Sequence, residues 1–332
     1  AVIERDAERV AVDLRFLRAL DLTPLVLLGL DAPASATAHQ QLLTDLLGGA
    51  GVSCVALDAT GPYAEIATAA RRGAIPLLVA NGASRGERVE RLGALLSALH
   101  THKLIFLHPH GGLTSHGERL SVVNLSTEYE ALRGRSDLQA GQRQLLDDSR
   151  RLIFDLVPHR LLVSLTSPLD LLHELFTVKG AGTLMRKGAV ITRHDGYRNV
   201  ELQRLRALLQ ASFGKPANEA LFGRPLEHAY LEEDYRGAAL VMRCELGGYL
   251  SKFAVTREAQ GEGIGQDLWS ALCADYGSLL WRAKRDNPVR PWYERQCQGR
   301  FESGVWTVYF RGLRPSQISQ AVEFALSQPV DF

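Results

Sequence analysis

The sequence predicts an α/β protein of two domains, and three observations lead to this prediction. In the first half, short apolar runs alternate with helical periods, which is typical of a parallel sheet covered by helices on both faces. A polar stretch at 192–199 interrupts this order, and we place the boundary between domains 1–192 and 193–332 there. Beyond it, an apolar run ending at Val255 leads into a glycine-rich turn and a new helical pattern.

The elements of the first domain follow from the spacing of its apolar residues. Val10, Leu14 and Leu17 share one face of an opening helix, and the run 75–79 is typical of a short buried strand. By the same reasoning the sequence predicts helices at 4–20, 38–47, 64–72, 86–100, 145–156 and 169–177, and strands at 24–28, 52–57, 75–79, 104–107 and 161–165.

The second domain begins with a helix whose apolar face is formed by Leu202, Leu205, Leu208, Leu209 and Phe213. A strand over 249–255 comes next, followed by the glycine-rich turn and a helix at about 263–276. A short strand is predicted to end at Trp281, since two prolines follow it, and Trp292 opens a new element. The run 304–312 alternates between apolar and polar residues as a strand does.

Composition excludes several classes of function. With 38 Lys and Arg against 37 Asp and Glu, the net charge is +1, so no basic field attracts nucleic acid or a membrane. No uncharged apolar run is long enough for a transmembrane helix, and residues 1–9 lack the apolar core of a signal peptide. The four cysteines show no C-x-x-C spacing, which suits reduced thiols in the cytoplasm.

The glycine-rich turn carries a chemical signal. Gln260-Gly-Glu-Gly-Ile-Gly265 fits the Q/R-x-x-G-x-G/A pattern with which acetyl-CoA-dependent N-acetyltransferases bind the pyrophosphate of the coenzyme. Glycine lets a phosphate approach the backbone closely, and the following helix adds about half a positive charge at its N-terminus. The alternative is a strand–turn–helix connection with no ligand.

Neighbouring segments add a family resemblance. Tyr249-Leu-x-Lys252-Phe, the turn 260–265, Trp281-Arg282, Asn287-Pro, Pro291-Trp-Tyr293 and Trp306 resemble the acetyltransferase domain of the N-acetylglutamate synthase family, in the branch of the vertebrate enzymes and the bacterial bifunctional synthase/kinases. Upstream, the segment 166–188 resembles the C-terminal signature of the amino-acid-kinase domain in the same proteins. The resemblance implies a shortened, amino-acid-kinase-like parallel-sheet sandwich followed by a GNAT-type acetyltransferase domain.

The resemblance also implies the site residues. Lys252 and Arg282 would bind the carboxylates of L-glutamate beside Phe253. Asn287 would orient the amine or the acetyl group, and Tyr293 would be the general acid. Acetyl-CoA, with no metal, would be bound by Ala254, Val255, Gln260, Gly261, Gly263, Ile264 and Gly265. The structural alternatives are that Tyr293 is a core aromatic residue, that Lys252 is solvated, and that Arg282 pairs with an acid.

The kinase-like half lacks the features that phosphate transfer requires. The resembling kinases use a strand with a lysine before paired glycines, whereas Gly29-Leu-Asp-Ala-Pro33 offers one glycine and an aspartate after its strand. The segment that would contain the family's first strand is not recognisable, so we expect a shortened structural or regulatory domain that does not use ATP. His108, His110 and His116 lie close in sequence, but no acidic residue or cysteine completes a metal-ligand spacing, and a solvated loop is expected.

A regulatory site is a further implication of the resemblance. In arginine-sensitive relatives, the signature that matches 174–183 lines the arginine site. The residues that would bind L-arginine here are Glu174, Phe176, Thr177, Gly180, Gly182 and Thr183. The alternative is that Gly180 and Gly182 only form a tight connection between a helix and a strand.

Three functions are therefore compatible with the sequence. The first is transfer of the acetyl group of acetyl-CoA to L-glutamate in a ternary complex, a step of arginine biosynthesis, in a homo-oligomer (dimer or tetramer) of the cytoplasm. The second is acetylation of another amino acid or amine. The third is an arginine-responsive partner without catalysis, which the intact Lys252, Arg282 and Tyr293 disfavour.

Overall fold

The computed structural model describes residues 2–177 and 180–331. The chain divides into two compact units, Ala1–Lys187 and Gly188–Phe332, each with its own sheets and core. This division lies before the boundary that the polar stretch suggested, because residues 191–195 form a strand of the second unit. The expected α/β class is confirmed. In the described part of the chain, no helix is long and apolar enough to cross a membrane.

The elements of the first unit follow the predicted alternation. Its helices are α1 Val2–Ala19, α2 Ala36–Gly49, α3 Tyr63–Arg71, α4 Arg85–Ala98, α5 Tyr129–Arg133, α6 Ala140–Arg151 and α7 Leu171–Phe176. Its strands are β1 Val26–Leu28, β2 Cys54–Asp58, β3 Ile75–Val79, β4 Lys103–Leu107, β5 Thr114–Ser115, β6 Glu118–Arg119, β7 Val122–Asn124, β8 Leu162–Thr166 and β9 Thr183–Arg186. A π-helical turn, Leu152–Leu156, extends α6 to the end of the predicted helix.

The strands of this unit lie in separate sheets. A parallel sheet has the order β1-β3-β2, and a mixed sheet has the order β4-β8-β9-β7, in which β8 and β9 are antiparallel. The strands β5 and β6 form a small hairpin. The apolar pattern predicted most of the strands, but an apolar run does not specify its neighbour, so the division into two sheets was not foreseen.

The second unit is built on one seven-stranded sheet with the order β10-β11-β12-β13-β14-β16-β15. Its strands are β10 Ile191–Asp195, β11 His228–Glu232, β12 Gly237–Cys244, β13 Gly247–Val255, β14 Leu279–Lys284, β15 Gly299–Ser303 and β16 Trp306–Arg311. Its helices are α8 Leu202–Phe213, α9 Ile264–Asp275, α10 Arg290–Gln296 and α11 Ile318–Ser327. Only β13 and β14 pair in parallel; the other neighbours are antiparallel.

Helices cover both faces of this sheet. On one face, Leu268 and Leu272 of α9 pack with Leu250 and Tyr309. On the other face, α8 packs against alternate residues of β11, β12 and β13, and α11 packs against β14 and β16. A bulge between β12 and β13, where Leu240 pairs with Lys252 but Val241 pairs with Leu250, changes the alternation at Ser251. It places Lys252 on the face of α8 and α11.

One predicted boundary in this unit was wrong. The strand expected to end at Trp281 continues to Lys284, because β16 pairs with it along its whole length, up to Lys284 opposite Trp306. Arg282 therefore lies within β14 rather than after it. The helix predicted at about 263–276 is confirmed as α9, and the strand predicted within 304–312 is confirmed as β16.

Candidate functional site

The second unit contains a cleft where its two central strands part. The strands β13 and β14 pair only at Gly248 with Leu279 and at Tyr249 with Leu280. Both strands continue beyond these pairs, to Val255 and to Lys284 respectively. The facing edges of the two strands thus carry backbone groups without a ladder partner across the gap, and such groups can hydrogen-bond a ligand. Ala254 and Val255, which the resemblance assigns to acetyl-CoA binding, lie on β13 beyond these pairs.

The glycine-rich turn joins β13 to the N-terminus of α9. Gly261 and Gly263 adopt φ values of +87° and +92°, which L-residues with a side chain rarely adopt, and Gly263 is the residue that precedes the helix. A side chain on Gly261 would meet no atom within 4 Å, so this part of the turn is open. The first amides of a helix have no intrahelical partner, so α9 presents Ile264 and Gly265 as donors towards an anion.

An acidic residue within this turn, Glu262, is paired with an arginine. The guanidinium of Arg236 donates to Oε2 of Glu262 at 2.8 Å and to Oε1 of Glu232 at 2.6 Å. Glu262 occupies the second variable position of the pattern, where a free carboxylate would repel a phosphate. Because Arg236 pairs with it, the negative charge beside the α9 N-terminus is reduced.

Aromatic side chains line the α9 face of the cleft. Phe253 stacks on Trp292, with ring centroids 5.1 Å apart, and Trp292 meets Trp269 edge to face. Tyr293 lies against Trp281 and Tyr309, at 5.9 and 5.5 Å between centroids. The side chain of Phe253 therefore lies on the opposite face of the sheet from Lys252, although the two residues adjoin in sequence.

Tyr293 keeps its proton at neutral pH. It is 7 % exposed, and burial, with a smaller contribution from the Tyr309 phenol, raises the pKa of its hydroxyl well above the ordinary value. The phenol is consequently protonated at neutral pH. The core-aromatic alternative and the general-acid hypothesis both agree with this packing.

The opposite face of the cleft is cationic. The Nζ of Lys252 lies 2.5 Å from Oδ2 of Asp331, and Arg224 pairs with Oδ1 of the same carboxylate. Burial alone would raise the pKa of the Asp331 carboxyl, but the hydrogen bonds from Arg224 and Lys252 outweigh it and lower the pKa below its usual range. The hypothesis that Lys252 is a solvated strand residue does not agree with this buried ion pair.

Arg282 converges on the same segment. Its guanidinium donates to the carbonyls of Leu326, Gln328 and Pro329 at 3.0, 2.6 and 2.9 Å. It also lies over the ring of Trp306, 4.1 Å from the centroid. The structure thus brings the two cations predicted for glutamate to one place, where Lys252 binds Asp331 and Arg282 binds carbonyls at the end of α11 and just after it.

Asn287 occupies the turn between β14 and α10. Its Oδ1 accepts from the amide of Val289 at 2.9 Å, and its backbone carbonyl accepts from Arg290. This geometry fixes the start of α10, which carries Tyr293. Among the described residues no hydrogen bond of its side-chain NH₂ is observed, and this group is the one to which the resemblance assigns a role.

In the first unit, the predicted arginine-binding residues form a tight loop. Oε2 of Glu174 accepts from the amides of Ala181 and Gly182, both at 2.9 Å, and Glu174 is buried. A side chain on Gly182 would lie 2.2 Å from the carbonyl oxygen of Leu165, so only glycine fits there. Thr183 accepts from the Leu113 amide. Val178 and Lys179, part of the same signature, lie outside the described residues.

The remaining predicted residues of that signature are peripheral. Phe176 is exposed and packs edge to face with Phe16, and the Thr177 hydroxyl donates to the carbonyl of His173. Gly180 has a φ of +62°. The observed contacts therefore favour the tight-connection alternative for Gly180 and Gly182, with Oε1 of Glu174 as the remaining acceptor for a ligand.

Two features of the first unit bear on phosphate and metal chemistry. The loop after β1 places Asp31 in an ion pair with Arg85, and a side chain on Gly29 would lie 2.7 Å from Cβ of Ala36. A phosphate at this loop would meet the carboxylate of Asp31, and the backbone at Gly29 is closed, in the sense that Ala36 occupies the space beside its Cα. The rings of His108 and His110 are 5.6 Å apart, and within the described ranges no three His, Cys, Asp or Glu side chains are grouped as metal ligands.

Two residues of the cationic face were missed from the sequence. Arg224 and Asp331 are 107 residues apart, and nothing in periodicity or spacing relates them. A signal existed only indirectly: Lys252 on a largely apolar strand requires a counter-ion, and the acid nearest to it in space is far away in sequence.

Comparison with known proteins supports the resemblance. A family model described as "NAT, N-acetyltransferase, of N-acetylglutamate synthase" matches residues 192–326. The chain is 32 % identical to human mitochondrial N-acetylglutamate synthase, over 94 % of this chain and 69 % of that protein. It is 33 % identical to a protein named acetylglutamate kinase from Xylella fastidiosa, over 80 % of this chain but only 65 % of that protein.

A solved structure confirms the fold. The N-acetylglutamate synthase from Neisseria gonorrhoeae, complexed with coenzyme A and N-acetyl-glutamate, superposes with a TM-score of 0.62, covering 92 % of this chain and 91 % of that one. The sequence identity is 16 %, so this likeness establishes architecture alone.

Proposed function

Because this chain belongs to the N-acetylglutamate synthase family, we propose that it transfers the acetyl group of acetyl-CoA to the α-amine of L-glutamate. The observation that carries the proposal is the cleft between β13 and β14. Beyond the point where these strands part, Lys252 and Arg282 converge on one face, and Tyr293 lies in the aromatic cluster of the other.

The coenzyme would enter along the glycine-rich turn. Gly261 and Gly263 allow close approach of the pyrophosphate, with Gln260 at the entrance and the amides of Ile264 and Gly265 as donors. The thioester would lie beside Ala254 and Val255, in the gap where β13 has no ladder partner in β14. A backbone N–H there would polarise the carbonyl as an oxyanion-hole donor does.

The acceptor would lie on the cationic face. Arg282 suits a bidentate contact with one carboxylate, and Lys252 suits a compact point-charge contact. The proposal requires that the contacts of these two side chains with the segment 328–331 break when the substrate binds. Asn287, with its carbonyl oxygen fixed by Val289, would direct its NH₂ group at the amine or the acetyl oxygen.

Acetyl transfer then follows by direct attack. The neutral amine nitrogen bonds to the thioester carbon, the backbone donor stabilises the oxyanion, and the carbon–sulfur bond breaks. Tyr293 donates its proton to the departing thiolate, and the proton lost by the amine goes to solvent and restores the phenol. We propose no acyl-enzyme, because the sequence motifs of this domain contain no cysteine–histidine pair.

The test is release of free thiol from acetyl-CoA with a panel of amino acids. Glutamate should give the highest kcat/KM, because its two carboxylates can pair with the two cations. Preference for a monocarboxylic amino acid or an amine would favour the second candidate acceptor class. Absence of turnover with every acceptor would favour the non-catalytic partner.

We propose that the first unit does not phosphorylate. The Asp31–Arg85 pair and the closed backbone at Gly29 support this assignment. Incubation with ATP and N-acetylglutamate should yield no ADP above the background of an Arg85→Gln variant. ADP formation that requires N-acetylglutamate would contradict it.

Arginine binding to the Glu174 loop is also a proposal. The carboxylate already accepts from two amides of its own loop, and its other oxygen can accept from a guanidinium. Burial strengthens such a charge-assisted bond. Its experimental test is given with the other predictions below.

A further inference from the structure

The carboxylate of Asp331 lies between two cations of the second unit. The segment after α11 reaches back across the sheet, and the Asn218 amide donates to the Asp331 carbonyl at 3.0 Å. This contact places the Asp331 carboxylate between Arg224 and Lys252, whose side chains are mostly buried. One carboxylate thus neutralises two cations, and Arg282 binds the carbonyls of Gln328 and Pro329 just before it.

Arg224 has unused hydrogen-bonding capacity. Asp331 engages one terminal nitrogen of its guanidinium, whereas its Nε is buried and has no hydrogen-bond partner among the residues that the structure describes. A buried donor without a partner is unfavourable, because the hydrogen bond that water would provide is not replaced. A carboxylate that could reorient would accept from both nitrogens in the planar, bidentate geometry that arginine prefers. Asp331, tethered by its own backbone, does not achieve this.

We propose that Arg224 and Lys252 form one carboxylate subsite of the acceptor pocket, and that Asp331 occupies this subsite as an internal ligand which the acceptor displaces. The inference rests on the proposed function and adds to it an acceptor-binding residue, Arg224, and a competitor, Asp331. Displacement also releases the Arg282 nitrogen that binds Gln328 and Pro329, because these carbonyls belong to the same segment, whereas the contact with Leu326 of α11 remains.

The surroundings fit this assignment. Tyr249 is buried beside the subsite; burial raises the pKa of its phenol to about 12, and the charges of Arg282, Asp331 and Arg224 act on it. A dicarboxylic acceptor replaces the charge of Asp331 and leaves no buried cation unpaired, whereas a neutral amine would leave Lys252 and Arg224 uncompensated.

The test compares Asp331→Asn with wild type in steady-state assays and in calorimetry with glutarate, a dicarboxylate that has no amine to acetylate. Removing the competitor should lower the KM for glutamate and the Kd for glutarate by about threefold or more, because the apparent affinity scales with the fraction of free subsite. The coenzyme KM should not change. Glu219→Gln, which removes the carboxylate of an exposed pair with Arg206, is the matched control and should alter neither constant.

Arg224→Lys completes the test and keeps it decisive if Asp331→Asn does not fold. This variant preserves the positive charge but removes the planar guanidinium, which can bind a carboxylate with two hydrogen bonds. Glutarate and glutamate should therefore bind at least threefold more weakly than to wild type. Weaker glutarate binding by Asp331→Asn, or unchanged binding by Arg224→Lys, would overturn the inference and make Asp331 a structural counter-ion. If glutarate behaves as expected but no variant acetylates glutamate, the proposed function fails and the subsite stands.

Discussion

Replacement of Gly263 by aspartate is the sharpest perturbation of the coenzyme-binding turn. Gly263 has a φ of +92° and directly precedes α9, so its replacement adds both backbone strain and a side chain at the helix N-terminus. A left-handed conformation costs an L-residue about 1–2 kcal/mol. Aspartate tolerates it better than most residues and is a favourable helix cap, so the variant should fold.

The effect on the coenzyme comes from charge. At roughly 6 Å and an effective dielectric constant of about 20, two unit charges repel by about 3 kcal/mol. Solvent and salt reduce this at an exposed turn, and we expect about half of it to remain. The new carboxylate also accepts from the α9 amides that would bind the pyrophosphate. A loss of about 1.4 kcal/mol corresponds to a tenfold higher KM for acetyl-CoA.

The assay is initial-rate thiol release at varied acetyl-CoA and saturating glutamate. Gly304→Asp is the matched control, because Gly304 also has a positive φ, +55°, and a side chain there would meet no atom within 4 Å. Both variants should lose similar stability in thermal unfolding, and only Gly263→Asp should raise the coenzyme KM. A KM within twofold of that control would remove this turn from the coenzyme site.

Three further predictions address the other groups. Arg282→Ala and Lys252→Ala should each raise the glutamate KM at least tenfold, since a charge-assisted hydrogen bond contributes about 1.5–3 kcal/mol; an equal rise in the coenzyme KM would assign them a structural role. Tyr293→Phe should lower kcat about a hundredfold with little change in glutamate KM. Because burial raises the pKa of Tyr293, the wild-type kcat should show no decline up to about pH 10. A decline near pH 8 that Tyr293→Phe abolishes would contradict the role of Tyr293 as a buried general acid. Calorimetry should detect L-arginine binding to wild type and at least tenfold weaker binding to Glu174→Gln. This variant keeps a side-chain oxygen that can accept from the loop amides. Identical heats for the two proteins would mean that the loop has only a structural role.

Local patterns predicted the parts of the site that are local in sequence. The glycine spacing at 260–265 located the turn and the start of α9, because positive φ values and a helix N-terminus are properties of a few adjacent residues. The apolar alternation located β13 and β16 for the same reason.

The rest of the site depends on contacts between distant segments. Lys252 meets Asp331 across 79 residues, and Arg224 meets it across 107. The bulge at Ser251, which sets the face of Lys252, arises from pairing with β12 and has no signature in β13 alone. The continuation of β14 past Trp281 likewise depends on its partner β16.

The most direct test of the central claim is the initial-velocity pattern of acetyl transfer, combined with quantification of both products. If the amine attacks the thioester directly in the cleft between β13 and β14, reciprocal plots at varied acetyl-CoA and glutamate should intersect. Free coenzyme A and N-acetylglutamate should also appear in equal amounts. Parallel lines with an acetylated enzyme, or thiol release without N-acetylglutamate, would contradict the account.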